Sequence, residues 1–323
     1  MKNQNSIIVG LFIFLMVGCK EKTISPPQQK ETVSKIKDKI VEATSFGGEK
    51  LFQREVDSTK LIKYKKRIDS VHAIGTLTEL DYEVLGGYHI ELNQYNKAIG
   101  VYTEGLEKYP NSYRLLRHRG HRYLNIRKLD KAITDLKKAE GLMNEVSAKD
   151  IEYYADGKPK GTFEFWIWYH IGLYHYLNQD FAQAAEAYKK CLSTAITSKN
   201  SVGATDWLYN CYQKNGNSKS AMALLETIPK DYDTDHNYVY FKRLMVYKGV
   251  LKPEELIAPE KPVSEWNGSE MTCAYGIGSW YLYNGDEATA LKYYKNIVKT
   301  PFWNSWAFVV TDKELAIRTT KKE

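Results

Sequence analysis

Cysteine is scarce in this chain: 4 in 323 residues, at positions 19, 191, 211 and 273. No C-x-x-C spacing occurs and no histidine stands close enough to complete a zinc pattern, which excludes the familiar zinc-finger and dithiol redox forms. If Cys19 is consumed at the N-terminus, as argued below, an odd number remains, which argues against a disulfide framework. No apolar run approaches the ~20 residues that span a bilayer. The sequence also lacks G-x-S-x-G, G-x-x-x-x-G-K-[ST] and H-E-x-x-H, and no carboxylate pair has a convincing setting, so neither an enzyme nor a cofactor is expected. Charge of one sign is not concentrated either. The 46 basic and 39 acidic side chains leave a net charge of +7, mixed along the chain, so nucleic acid is not an expected partner. Aromatic residues, by contrast, are abundant, with 25 tyrosines and 7 tryptophans for which a stable core must find room.

The first residues read as an address. Lys2 precedes an apolar run from Ile7 to Val17 broken only by Gly10, about half the length of a permanent membrane helix and the size of a signal-peptide core. Met16-Val17-Gly18-Cys19 closes it and resembles a lipobox, with Met16 where Leu is commoner. The resemblance implies cleavage after residue 18, acylation of Cys19 and a lipid-anchored body in the cell envelope; Lys20, in place of an inner-membrane retention Asp, leans toward the outer membrane. Residues 19–45 are polar, carry Pro26-Pro27 and suit a tether, within which Val33, Ile36, Ile40 and Val41 have the spacing of a short amphipathic helix. Residues 46–78, with Leu51 to Val71 at their centre, are expected to supply N-terminal helices.

From residue 79 to 301 a period near 34 organises the chain. Tyr82, Leu85, Gly86, His89, Ala98, Tyr102 and Pro110 recur as Leu116, Arg119, Gly120, Tyr123, Ala132 and Leu136, then as Trp168, Ile171, Gly172, His175, Ala184 and Tyr188. A fourth copy runs through Leu208, Tyr209, Tyr212, Ala221, Leu225 and Pro229, with Tyr209 in the glycine place. The fifth, around Tyr240, Leu244, Tyr247 and Leu256, is poor and carries Pro253; the sixth, with Ile277, Gly278, Tyr281, Ala290, Tyr294 and Pro301, is good again. The long step from Ala132 to Ala184 places an insertion near 144–162, where Asp156-Gly157-Lys158-Pro159 marks a turn between IEYY and TFEF, as a loop or a hairpin.

This pattern resembles the tetratricopeptide repeat. The resemblance implies an all-α fold, a right-handed superhelical solenoid of about six helical hairpins, in which Gly and Ala sit where paired helices cross and Phe302 to Ile317, within a terminal segment 302–323, form a capping helix. It implies further that residues three and two before the crossing glycine, and one after it, face a concave groove. Those offsets assign Arg117, His118 and His121 to the groove, with Arg114 one turn earlier. They add Trp166, Tyr169 and His170 from the third repeat, Asp206, Trp207 and Asn210 from the fourth, and Tyr275 and Ser279 from the last. The basic row would suit a carboxylate or phosphate, and equally reads as a solvated face. Arg119 stands in a normally buried Leu place and calls for a partner, Asp135 being the obvious one. Gly203 and Trp207 occupy positions where chaperone-binding members of the family carry basic residues, so that activity is not carried over. The run Asp231, Asp233, Asp235 begins like a calcium loop, but His236 and Lys242 replace its Gly and Glu, and no metal is expected. The function expected is thus a non-catalytic, lipid-anchored envelope scaffold holding a protein or peptide in its groove; capture of a glycan or other nutrient by the aromatic groove residues is the alternative.

Overall fold

A computed structural model describes residues 39–144, 147–153, 158–229 and 238–320. The signal segment, Cys19, the tether up to residue 38 and the Asp231–Asp235 run lie outside the described residues. Helices come in pairs: α2 (Glu79–Glu91) with α3 (Tyr95–Lys108), α4 (Tyr113–Asn125) with α5 (Leu129–Gly141), α6 (Phe163–Leu177) with α7 (Phe181–Ser193), α8 (Ser198–Lys214) with α9 (Ser218–Glu226), and α11 (Gly268–Tyr283) with α12 (Glu287–Ile297). The chain from Lys39 onward is a single unit. It is an all-α protein of stacked helical hairpins.

Each hairpin is set by two local devices. The first is the crossing. A Cβ built on Gly86 would lie 2.1 Å from a ring carbon of Tyr102, one on Gly172 2.8 Å from Tyr188, and one on Gly278 2.6 Å from Tyr294. Opposite them Ala98, Ala132, Ala184, Ala221 and Ala290 are wholly buried. The glycine of the first helix therefore receives the aromatic ring of the second, which explains much of the tyrosine content. The second device is the turn. The first helix of each pair ends in a residue of left-handed backbone, at Asn93, Arg127, Gln179, Gly216 and Gly285. The next N–H then reaches back to the carbonyl five residues earlier, as in Gln94 to His89 and Asp286 to Tyr281, both at 2.9 Å.

The fifth repeat is incomplete. α10 (Tyr238–Tyr247) packs on α8 and α11, but its second helix is replaced by short 3₁₀ turns at Pro253–Glu255 and Val263–Glu265. Pro253, with its fixed φ and missing N–H, opens the first of these turns where a helix would otherwise continue.

Two small hairpins decorate the stack. Residues in the insertion form β3 (Ile151–Tyr153) paired antiparallel with β4 (Pro159–Thr162). At the N-terminus, β1 (Val41–Thr44) pairs with β2 (Lys50–Phe52), followed by a single helix, α1 (Ser58–His72). This corrects two expectations: Ile40 and Val41 do not sit on an amphipathic helix, and Leu51 does not start one. Helical spacing was outvoted by distant partners. The Glu42 carboxylate accepts from the Asn96 backbone N–H at 2.8 Å, and the Phe52 carbonyl accepts from Trp303 Nε1 at 2.7 Å.

At the C-terminus, α13 (Trp306–Thr320) packs on α11 and α12, the two helices of the last hairpin, and reaches back to α6. Residues Ala307 to Asp312 are buried without interruption, so the helix is enclosed on every side there, as its lack of a polar stripe requires.

Candidate functional site

The inner face of the stack is where the groove residues were expected to stand open. Instead the segment from Asn304 to Glu314 lies against part of that face. Asn304 takes the Asn125 side-chain amide on its carbonyl at 2.9 Å, Asp312 pairs with Arg127 at 3.2 Å, and Glu314 pairs with Lys214 at 2.9 Å. Trp306 stacks on His121, ring centres 5.1 Å apart, and leans on His170 at 5.9 Å.

The predicted residues fall into two clusters. The first gathers the second and third repeats. Arg114 bridges Glu83 at 3.0 Å and Asp150 at 2.5 Å, its guanidinium over the Phe163 ring. Arg117, 2 % exposed, pairs with Glu152 at 2.8 Å and lies over Trp166. His118 faces Glu83 at 3.1 Å and stacks on Tyr102. His121 meets His170 ring to ring at 4.0 Å, and His170 Nδ1 donates to the Trp166 carbonyl at 2.6 Å. Burial drives His118, His121 and His170 below the usual imidazole range, with neighbouring cations adding to it. Burial alone would raise Glu83, but His118 and Arg114 outweigh it and hold the carboxyl at about 2. Burial likewise works against the charge on Glu152, which Arg117 and Lys160 nonetheless keep well below the carboxylate range.

The second cluster joins the third, fourth and last repeats, and it is core. Trp207 is wholly buried, donates from Nε1 to Tyr169 Oη at 2.7 Å, and packs among Tyr176 and Tyr275. The Tyr275 and Tyr176 hydroxyls meet at 2.6 Å. Asp206 pairs with Arg243 at 2.6 Å, neither with meaningful exposure; Asn210 accepts from Tyr283 at 2.8 Å, and Ser279 meets Tyr294 at 3.2 Å. Burial pushes Asp206 up to about 7, Arg243 pulling against it.

The predicted Arg119–Asp135 pair is present and two-pronged, at 2.7 and 2.8 Å. Residues that sequence reasoning missed include Glu83, which stands three before Gly86 and was reachable by the groove offsets had they been applied to the first repeat. Glu152, Arg243 and Trp306 carried no such signal, because Arg117, Asp206 and His121 are far from them in the chain, and Lys160 is placed only by the pairing of β3 with β4. Among the described residues no group of three or more His, Cys, Asp or Glu is placed to hold a metal, and Cys191, Cys211 and Cys273 are buried free thiols.

The arrangement defines a class: an all-α stack of helical hairpins, with the last helix packed back onto the hairpins before it. The tetratricopeptide repeat family profile matches residues 167–195, the third hairpin. Among solved structures the chain is similar to a tetratricopeptide repeat protein from Parabacteroides merdae (14 % identity, 78 % of this chain and 94 % of that one, TM-score 0.47). It is also similar to YrrB, described as a TPR protein with an unusual peptide-binding site (13 %, 80 % and 97 %, 0.40), and to MamA (18 %, 68 % and 90 %, 0.38). No curated protein matches the chain.

Proposed function

We propose that the chain is a non-catalytic cell-envelope scaffold, acylated at Cys19 and held at the outer membrane, that binds a protein or peptide partner through its insertion arm rather than its inner face. The observation that carries this reading is the contrast between the two surfaces. The inner face is occupied by α13, whereas the β3–β4 arm stands on a rigid mount and offers Tyr153, which is 59 % exposed. The mount is built from Asp150, which accepts from Tyr113 Oη at 2.7 Å, and from Glu152, gripped by Arg117 and Lys160. An exposed aromatic at the end of a short strand tied to the body is the composition of a binding hot spot. Glycan capture by the aromatic row would need those rings at the surface, and Trp207 and Tyr275 lie in the core.

The test is pull-down from detergent-solubilised envelope with the full chain. Tyr153→Ala should lose most of a stoichiometric protein partner, about thirtyfold in affinity if the residue is a hot spot. Retention of the partner by Tyr153→Ala, together with its loss on an inner-face change that leaves folding intact, would return the site to the inner face. Cys19→Ser should abolish palmitate labelling; a variant that still labels would remove the anchor from the reading.

A further inference from the structure

Beyond the arm, the structure carries a second unexplained surface at the N-terminal end of the body. Helix α1 turns Tyr64, Ile68 and Val71 inward, with Tyr64 against Tyr88 at 5.7 Å between ring centres. Its outward face centres on Ile62, 68 % exposed, and Lys65, Lys66 and Asp69 share that face at spacings of three, four and seven residues, with Lys63 alongside. From Lys60 to Arg67 there are five basic residues and no acidic one. Three of these have structural work: Lys60 pairs with Glu91 at 2.9 Å, Arg67 lies over the Tyr64 and Tyr88 rings, and Lys63 stands over the Tyr64 ring. Lys63, Lys65 and Lys66 form no ion pair among the described residues and are exposed. Ile74 and Leu80, which follow directly, are also largely exposed. Of the 11 large hydrophobic side chains exposed among the described residues, six lie between Ile40 and Leu80.

We infer that the outer face of α1 rests on an anionic lipid bilayer. Three lysines around one isoleucine are the composition of an interfacial helix: the ammonium groups pair with headgroup phosphates while the apolar side chain enters the boundary between headgroup and acyl chain. The unpaired cations are all lysines, point charges that suit a fluid surface and lack the directional fork of arginine that reads a nucleic acid. The surface is also placed to meet a membrane. Twenty peptide steps separate Cys19 from Lys39, so a chain acylated at Cys19 keeps this end of the body within ~70 Å of the bilayer even if that stretch were fully extended. To that extent the inference rests on the envelope reading above.

Cosedimentation of the body from Lys39 onward, one unit without the address segment or Cys19, tests it independently of acylation. Vesicles of phosphatidylcholine with phosphatidylglycerol should pellet the body, phosphatidylcholine alone should not, and high salt should release it. Lys63→Glu/Lys65→Glu/Lys66→Glu should lower the partition coefficient by about tenfold or more, and Ile62→Ser by a smaller factor, whereas Lys292→Glu/Lys295→Glu/Lys299→Glu, an equal change of charge elsewhere, should leave it within about twofold. Helical circular dichroism and an unchanged melting temperature show that each variant is folded, because these side chains point outward. The inference is overturned if the body ignores anionic vesicles, if it binds neutral ones equally, or if the two charge-reversal variants behave alike. Cys19 labelling by palmitate is decided by a separate measurement, so either result can fail without the other.

Discussion

The crossings inside each hairpin and the inner face of the stack are both buried, yet they are built from opposite materials. At a crossing, a residue with no side chain meets a large ring: Gly86 under Tyr102, Gly172 under Tyr188, Gly278 under Tyr294. On the inner face, large polar and aromatic side chains meet one another and the last helix: Arg117 with Glu152, Asp206 with Arg243, Trp207 with Tyr169, His121 with Trp306. The first arrangement joins residues about 16 apart and repeats; the second joins residues as far apart as Asn125 and Asn304 and never repeats. The difference teaches that a residue's position within a repeat predicts its neighbours in the hairpin but not whether its outer side stays open.

The largest effect is expected where the inner face is most completely core. Trp207→Ala should cost ~3–5 kcal/mol by the loss of buried ring contacts and the cavity left behind. A lowered urea midpoint with unchanged partner affinity per folded molecule is the expected result; an unaltered midpoint would mean that the ring is not in the core. At the crossings, Gly86→Ala should cost ~1–3 kcal/mol, because the new methyl would overlap the buried Tyr102 ring, which must shift to admit it. If the alanine variant is as stable as the parent, the close crossing is mistaken.

A smaller effect separates the two regions by pH, since the crossings hold no titrating group in this range and the inner face does. His118, His121 and His170 stay neutral in the fold below their ordinary value of 6.5, so the unfolded chain binds protons first as pH falls. Their contribution is complete above 6.5 and is lost progressively below it. Glu83 adds to the loss further down, because its stabilisation is present above the ordinary 4.5 and disappears toward about 2. Asp206 opposes this trend, since a carboxyl raised to about 7 favours the fold as pH falls from 7 toward 4. Urea midpoints measured from pH 7 to 5 should fall in the parent and fall less in His170→Gln. An equal slope in that variant would show that the imidazoles do not set it. Smallest of all, Tyr153→Ala should change the unfolding free energy by no more than ~0.5 kcal/mol, as its ring is mostly in solvent.

Much of this fold was legible because its determinants are local. Gly86, Gly120, Gly172 and Gly278, with Ala98, Ala132, Ala184 and Ala290 at fixed offsets, announced the hairpins, and the Asp156–Pro159 turn announced an insertion that carries a two-stranded arm. Arg119 stood in an apolar place and found Asp135 sixteen residues on, within reach of the same hairpin. The candidate groove was legible only as a set of positions. The offsets that located its residues contain nothing about Trp306 or Asp312, which are supplied by a segment outside the repeat.

What the sequence by itself determined is therefore everything that rests on short-range pattern: paired helices, their close crossings, and the broken fifth repeat after Pro253. Tertiary structure alone decided that residues from Val41 to Phe52 pair as strands, that α13 reaches back from the last hairpin to α6, and that Trp207 and Tyr275 are core. The physical reason is that a helix without a polar stripe, such as Trp306 to Asp312, must be covered on all sides, and its amino acids state that need without stating which surface meets it.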